Sequence, residues 1–398
     1  MNAPPALAAA PPRYALRMWL FFAGYFLFGG ISIPFFPVWL DARGLSDVEI
    51  ATIVAVPGLL RVFLTPFAGM FADRAPNRRF AAICFTAPAA AIFILGWWTE
   101  SFLPLLVIVA LSFTTWGLAL PVGEALALTG MRRFGLDYGR MRMGGSVSYI
   151  VANLGAGAIL AILHADAIFW LLVGALAVTA VTAFGLPVTL PTVRALDDAG
   201  RPARPPLWPA LREPAFLVLI VVGGLIQASH AMLYSFGSLF WHRQGFGGVA
   251  IGAFWATAVI CEILLFLWSG PLVRRLGPFG FLAFGGVAAI VRWLAFPLEP
   301  GFSGYLALQA LHAFSFGAVY LGCQHAVART VPEELTASAQ GVMAMVTGLL
   351  MALSTLAAGP LYENLGGNAF ALMAVLPAVA LVVLALFRRA IGSEARAP

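Results

Sequence analysis

The chain has 398 residues, of which 61% are apolar and only 10% charged. About a quarter of the residues of a soluble globular protein are charged, so this balance excludes a soluble domain and indicates an all-α integral membrane protein. The net charge of +6 comes from arginines scattered over separate loops, which argues against nucleic acid as a partner.

The start of the chain, Met1 to Pro12, is rich in Ala and Pro and lacks a signal-peptide pattern. Apolar segments of about 20 residues can cross a bilayer, and in lipid a single segment satisfies its backbone only as a helix. Twelve transmembrane helices are predicted, at 14–38, 46–72, 80–98, 102–129, 143–163, 166–187, 213–241, 247–273, 279–297, 302–328, 337–361 and 368–388. The first is too long for the apolar core of a signal peptide and is expected to be retained. Pro34, Pro37, Pro57, Pro66 and Pro121 fall inside spans and are expected to bend them. The longest polar stretch, 188–212, carries Pro191, Pro202, Pro205, Pro206 and four arginines. It reads as a linker, giving an N-terminal six-helix bundle at 1–190, a cytoplasmic linker at 191–212 and a C-terminal six-helix bundle at 213–398.

All 23 basic residues are Arg. Nineteen fall at the two termini or in the even-numbered connections; only Arg43 and Arg243 lie on the other side, and Arg61 and Arg292 lie within spans. By the positive-inside rule both termini are expected in the cytoplasm. Cys84, Cys261 and Cys323 lie in spans with no ligand spacing and read as core filler, so no metal site and no cofactor are expected.

The halves are related by a nearly constant offset of 201, which pairs Gly44 with Gly245, Gly69 with Gly270, Arg74 with Arg275 and Phe113 with Phe314. The same offset sets Arg61 against Glu262 and Glu124 against His325. Two six-helix halves in parallel repeat resemble the plan of the major facilitator superfamily. The likeness sharpens at the second-to-third connection, where Gly69-Met70-Phe71-Ala72-Asp73-Arg74 and the pair Arg78-Arg79 resemble that superfamily's signature loop, with one extra residue before the pair. Gly69 is expected to allow close helix approach, Asp73 to cap or pair across the cytoplasmic face, and Arg74 to hold the loop there.

A charge at mid-bilayer costs about 2.5–3.5 kcal/mol on insertion scales and so needs a partner or a wet cavity. Residues equidistant from a hairpin turn lie at equal depth. Glu124 and Arg142 are centred on Arg133, in the fourth-to-fifth connection. Glu262 and Arg292 are centred on Gly277, and Arg292 and His312 on Phe302, so three consecutive helices bring Glu262, Arg292 and His312 to one level. Arg61 either ties two helices through backbone carbonyls or serves a substrate. His230 and His325 are expected to face the interior, as core histidines or as functional groups. Trp39, Trp116, Trp255 and Trp293 are packing or interfacial residues, with Trp116 and Trp255 the candidates to cover a substrate ring.

Leu136-Asp137-Tyr138-Gly139-Arg140-Met141-Arg142, followed by Gly144-Gly145-Ser146, is similar to the fifth-helix entry of lactose permease and its relatives. Pro121-Val122-Gly123-Glu124-Ala125 resembles the fourth-helix segment bearing that family's sugar-binding acid. The resemblance carries over at Glu124, Arg142, Glu262, Arg292 and His312. It departs at Ser315 and Thr347, where the family has its proton-releasing acid and a lysine. A nearer resemblance, over nearly the whole chain, is to the bacterial 3-phenylpropionic acid transporter family. It is carried by Leu59-Leu60-Arg61-Val62-Phe63, Leu136 to Arg142, Gln227-Ala228-Ser229-His230-Ala231, Val291-Arg292-Trp293 and Leu308-Gln309-Ala310-Leu311-His312. That family also lacks the second acid of the tenth helix, in keeping with Ser315.

The implied function is secondary active import of a small organic solute with protons, most simply an aromatic carboxylate, by alternating access in a bacterial inner membrane, as a monomer. Glu124, Arg142, Arg61, Trp116 and Trp255 are the candidate substrate-binding residues, with Arg142 and Arg61 offering guanidinium forks that match a carboxylate. Glu262, Arg292 and His312 form the candidate proton-coupling set, and Glu124 and Glu262 are candidate proton carriers. A sugar or nucleoside symporter is the alternative, and a drug exporter fits less well because the fifth helix lacks a Gly-Pro-rich signature. The chain has no His-Glu-x-x-His, no Gly-x-Ser-x-Gly and no phosphate-binding Gly-rich loop with Lys, so enzymatic chemistry lacks its parts.

Overall fold

The computed structural model describes residues 10–99, 101–188, 213–331 and 336–387. The expected linker at 191–212 lies outside them, and all regular secondary structure among the described residues is helical. Eleven stretches are long and apolar enough to cross a membrane. The last, Ala339–Leu386, runs for 48 residues, more than twice what one crossing needs. It breaks at Gly366–Asn368, where Gly366 takes φ 54°. Both predicted final spans are therefore present, and twelve crossings result.

The spans are, in order, Tyr14–Ala42, Asp47–Ala72, Arg78–Trp98, Phe102–Met131, Tyr138–Leu160, Asp166–Phe184, Pro214–Arg243, Gly248–Trp268, Arg275–Leu298, Gly301–Val327 and the two within Ala339–Leu386. Side-chain caps begin several of them. At the second, Ser46 Oγ accepts from the Glu49 amide while Glu49 Oε2 accepts from the Ser46 amide at 2.9 Å, a reciprocal capping box. Asn77 Oδ1 accepts from the Phe80 amide at 2.9 Å and starts the third span, so the extra residue before Arg78-Arg79 stands at an N-cap. Asp137 does the same for the fifth span through the Arg140 amide. Between the eighth and ninth spans the helical run turns at Gly277, with φ 68° and ψ 170°. Glycine adopts that geometry without the Cβ clash other residues suffer, and it falls at the predicted centre of the hairpin.

The chain forms two compact units. The first gathers Met1–Leu45, Val56–Thr192 and Trp241–Gly252; the second gathers Ser46–Ala55, Val193–Phe240 and Ala253–Pro398. Within the first, the opening span packs against the fifth and sixth, and the third against the fourth and sixth. Tyr14, Phe21, Phe22 and Tyr25 supply its core. A Cβ at Gly123 would meet the Phe21 ring at 2.3 Å, and one at Gly130 would meet Tyr14 at 2.6 Å. Two turns of the fourth span thus form a groove that admits the aromatic ridge of the first. Tyr14 also donates its hydroxyl to the Leu126 carbonyl at 2.7 Å, removing an otherwise buried polar orphan.

Within the second unit, Pro214–Ala228 packs against Thr336–Leu365, Val375–Leu386 and Val319–Thr330. The seventh span is interrupted between Ala228 and Ala231. The tenth widens into a π turn at Ala313–Ala318, a distortion that recurs at functional sites. Neither interruption sits on a proline.

Candidate functional site

In the first unit, Arg142 of the fifth span donates from Nε to Glu124 Oε1 of the fourth at 3.0 Å. Tyr138, one turn earlier on the fifth span, donates its hydroxyl to Glu124 Oε2 at 2.6 Å. Both carboxylate oxygens are thereby occupied. The guanidinium lies over the Phe26 ring at 4.0 Å and near Phe22 at 5.1 Å, in cation–π contact with the first span. Each member of the ion pair keeps 28% of its side chain exposed.

Arg61, on the second span, lies against the fourth at Gly117. A Cβ there would meet Arg61 Cδ at 2.3 Å and Nη1 at 2.8 Å, so the guanidinium occupies room that only glycine leaves. Its Nε is buried without a partner. Among the described residues its side chain makes no hydrogen bond to a backbone carbonyl. Next to Gly117, Trp116 stacks on Tyr25 with centroids 4.1 Å apart and packs on Phe28 at 4.5 Å, while its indole N–H is buried without an acceptor. Tyr25 lies within electrostatic reach of Arg61, Arg142 and Glu124, so these groups border one region.

In the second unit, Arg292 is fully buried. Its Nη1 donates to His312 Nδ1 at 3.1 Å and to Ser315 Oγ at 3.3 Å, its Nη2 donates to Gln309 Oε1, and its plane lies over the Trp293 ring at 4.7 Å. His312 Nε2 stands 3.8 Å from Glu262 Oε2. Glu262, Arg292 and His312 do come together, but through the imidazole: the carboxylate faces His312, and among the described residues no carboxylate contacts Arg292. His230, at the break in the seventh span, has Nδ1 at 3.2 Å from the carbonyls of Ile226 and Gln227 and Nε2 at 3.1 Å from Ser315 Oγ.

Donor and acceptor chemistry assigns the hydrogens. Carbonyls only accept, so His230 carries a proton on Nδ1, while its Nε2 shares a hydrogen with Ser315 Oγ. Arginine only donates, so Ser315 Oγ accepts from Arg292, and His312 Nδ1 must be bare. His312 therefore holds its proton on Nε2, directed at Glu262. His312 is thereby held in one neutral tautomer by the guanidinium.

The other expectations fare differently. Trp255 is buried, donates from Nε1 to Ser238 Oγ at 2.8 Å and faces Tyr234 with centroids 6.1 Å apart. Its polar handle is thus taken up within the second unit. His325 is exposed rather than interior. Gly69 departs from the close approach expected of it: nothing comes within 4 Å of a Cβ built there. The reason is that the second span is open along this stretch, with Phe63 59% and Phe67 62% exposed. Arg74 is exposed, and the Asp73 side chain lies outside the described residues. Arg78 reaches Thr129 Oγ1 at 3.0 Å, tying the third span to the fourth.

Three partners were not assigned from sequence: Tyr138 on Glu124, Gln309 on Arg292, and Ser315 between Arg292 and His230. The spacing of Gln309, His312 and Ser315 along the tenth span was the available signal, since residues three apart neighbour each other on a helix.

Long apolar crossings and partnered charges within both units, among the described residues, mark a multi-pass membrane protein. The chain belongs to the MFS_1-like family, whose model matches residues 14–373. It is 28% identical over 362 residues to the "Probable 3-phenylpropionic acid transporter" of Escherichia coli (strain K12), covering 89% of this chain and 93% of that protein. It is 25% identical over 384 residues to the maltose permease of Geobacillus stearothermophilus, covering 94% and 95%. Its fold is similar to the crystal structure of the nucleoside transporter NupG, with a TM-score of 0.77 at 15% identity over 95% of this chain and 98% of the other. These relatives are transporters, and the chain is not an enzyme.

Proposed function

We propose that the chain is a proton symporter that imports a small organic solute, with an aromatic carboxylate as the substrate class, by alternating access of the halves 1–190 and 213–398. The arginine distribution supports cytoplasmic termini and a cytoplasmic 191–212 linker; the protein acts as a monomer in the bacterial inner membrane. The substrate meets Glu124, Arg142, Arg61, Trp116 and Trp255, and Glu262, Arg292 and His312 couple it to protons. The signature loop with Gly69, Asp73 and Arg74 serves the conformational change.

One observation carries the coupling assignment. Glu262 is the ionisable acid of the second-unit cluster, and the neighbouring His312 is committed to a neutral form by Arg292. A proton entering this cluster therefore goes to the carboxylate. Protonation leaves the buried Arg292 charge without its nearest anion, a state that costs free energy in an apolar interior. That cost links proton occupancy to conformation. The substrate class is supported by the two first-unit arginines and by the likeness to the E. coli protein. A sugar symporter is the second reading, supported by the Glu124–Arg142 pair and the likeness to maltose permease.

The test is proton movement in de-energised cells expressing the chain. Addition of 3-phenylpropionate is expected to alkalinise the medium, after correction for buffering by the acid, and maltose or nucleosides to leave it unchanged. Glu262→Gln is expected to keep substrate exchange while abolishing uphill accumulation. Accumulation at the wild-type level in that variant would remove Glu262 from the coupling role; alkalinisation by maltose instead would move the substrate to the second reading.

A further inference from the structure

We infer that the carboxylate of the substrate is seated by Arg61 and the Trp116 indole N–H, whereas the charge of Arg142 is taken up by Glu124. This rests on the reading above and divides its candidate residues. Four observations lead there, all within the first unit.

First, the local charges do not cancel. Arg142 and Glu124 neutralise each other, with Tyr138 donating to the second carboxylate oxygen. The Arg61 side chain has no ion-pair or hydrogen-bond partner among the described residues. The region thus keeps a single positive charge, which selects a monoanion over a neutral solute or a dianion. Second, two buried donors lack acceptors: Nε of Arg61, whose side chain lies on Gly117, and the indole N–H of Trp116, the residue before that glycine. Buried polar groups in folded proteins are nearly always satisfied, and a carboxylate supplies two acceptor oxygens. Trp39 also has an orphaned indole N–H, but the arginine over its ring, Arg43, is already engaged with the Trp97 and Thr99 carbonyls. The pairing of an idle cation with an idle N–H occurs at Arg61 and Trp116.

Third, Gly117 holds the guanidinium in place by what it lacks: any side chain there displaces Arg61. Fourth, Trp116 belongs to an aromatic cluster with Tyr25 and Phe28, surroundings that suit an aryl group. An arylalkanoate of short chain satisfies the cation, the two N–H groups and the ring surface together.

Arg142 is less suited, for complementary reasons. Its Nε is on Glu124, and one face of its guanidinium lies on Phe26. Its charge is already offset by that carboxylate, so a substrate anion gains less there than at Arg61.

The experiment measures binding by isothermal titration to the purified full chain in nanodiscs. No proton gradient exists there, so a failure of proton coupling leaves the result untouched. The probes are 3-phenylpropionate, its amide and 3-phenylpropanol. The acid is expected to bind, and the two neutral analogues at least about tenfold more weakly. Arg61→Gln is expected to lower acid affinity by about thirtyfold or more, and Arg61→Lys by less, because an ammonium keeps the charge but loses the fork. Trp116→Phe keeps a ring and loses the N–H, and is expected to cost about fivefold. Gly117→Ala leaves every charge in place and is expected to weaken binding by crowding Arg61. Retained melting temperature and a monodisperse elution profile separate these losses from misfolding. Equal binding of acid and amide, no binding of the acid to the wild type, or loss in Arg142→Gln with Arg61→Gln unaffected would each overturn the assignment.

Discussion

Arg142 and Arg292 both sit inside apolar helix bundles, yet their surroundings differ in kind. Arg142 meets a carboxylate at 3.0 Å, lies on a phenyl ring and stays 28% exposed. Arg292 has no exposure; its Nη groups donate to an imidazole nitrogen, a hydroxyl and an amide oxygen, and its Nε has no acceptor among the described residues. The first pair is electrically closed within itself and leaves Arg61 to answer external charge. In the second cluster the countercharge is held one ring away, across His312, so the field of Arg292 reaches Glu262 through a group whose orientation it also fixes. On the function proposed above, one unit senses an anion and the other a proton.

The comparison breaks most sharply at the arginines themselves. Arg292→Met removes the donor for three buried acceptors and is expected to destabilise the protein by about 2–4 kcal/mol in reversible unfolding from detergent. Arg142→Met, at a half-wet pair, is expected to cost only about 1 kcal/mol. Adding Glu262→Gln to Arg292→Met is expected to restore part of the loss; no recovery would show that the two charges do not feel each other across His312. Equal losses at the two arginines would erase the distinction between the clusters.

His312 gives a smaller and more pointed test. Glutamine offers an acceptor oxygen to Arg292 and an N–H to Glu262, like the observed tautomer, but cannot take up a proton. His312→Gln is expected to retain uphill uptake within about threefold of wild type, while His312→Ala loses about tenfold or more. Loss in both variants would make the imidazole a proton carrier rather than a positioning residue. The smallest effects set the scale for the others. Ser46→Ala and Asn77→Ala remove N-caps in the second and first units, and each is expected to cost about 1 kcal/mol of stability with little change in uptake.

Much of the fold was legible because its causes are local. Span length and apolarity located every crossing, and a glycine at the centre of symmetry between Glu262 and Arg292 turned out to be the hairpin turn. The same depth argument brought Glu124 to Arg142 and joined Glu262, Arg292 and His312. It failed to say which atoms meet, since depth along the membrane normal carries no information on rotation about each helix axis. That is why Glu262 was set beside Arg292 and instead faces His312, and why His325 is exposed. The breaks at Ser229–His230 and Ala313–Ala318 were illegible for a related reason. Neither is marked by proline; both accompany side chains that bond across helices, and only the packed neighbours reveal them. Gly69 shows the converse hazard, since a small residue permits a close approach but does not compel one.

The run of hydrogen bonds from Ile226 through His230, Ser315, Arg292 and His312 toward Glu262 has one further consequence. Proton hopping needs each relay to accept on one side and release on the other. Here Arg292 donates in both directions at once, so the two flanking segments point away from it. A proton on Glu262 that tried to travel toward His230 would meet a guanidinium with no lone pair to receive it. The cluster is an electrical insulator. With the coupling role proposed for Glu262, it keeps a loaded proton where it was taken up until the protein itself moves, which is the difference between a transporter and a leak.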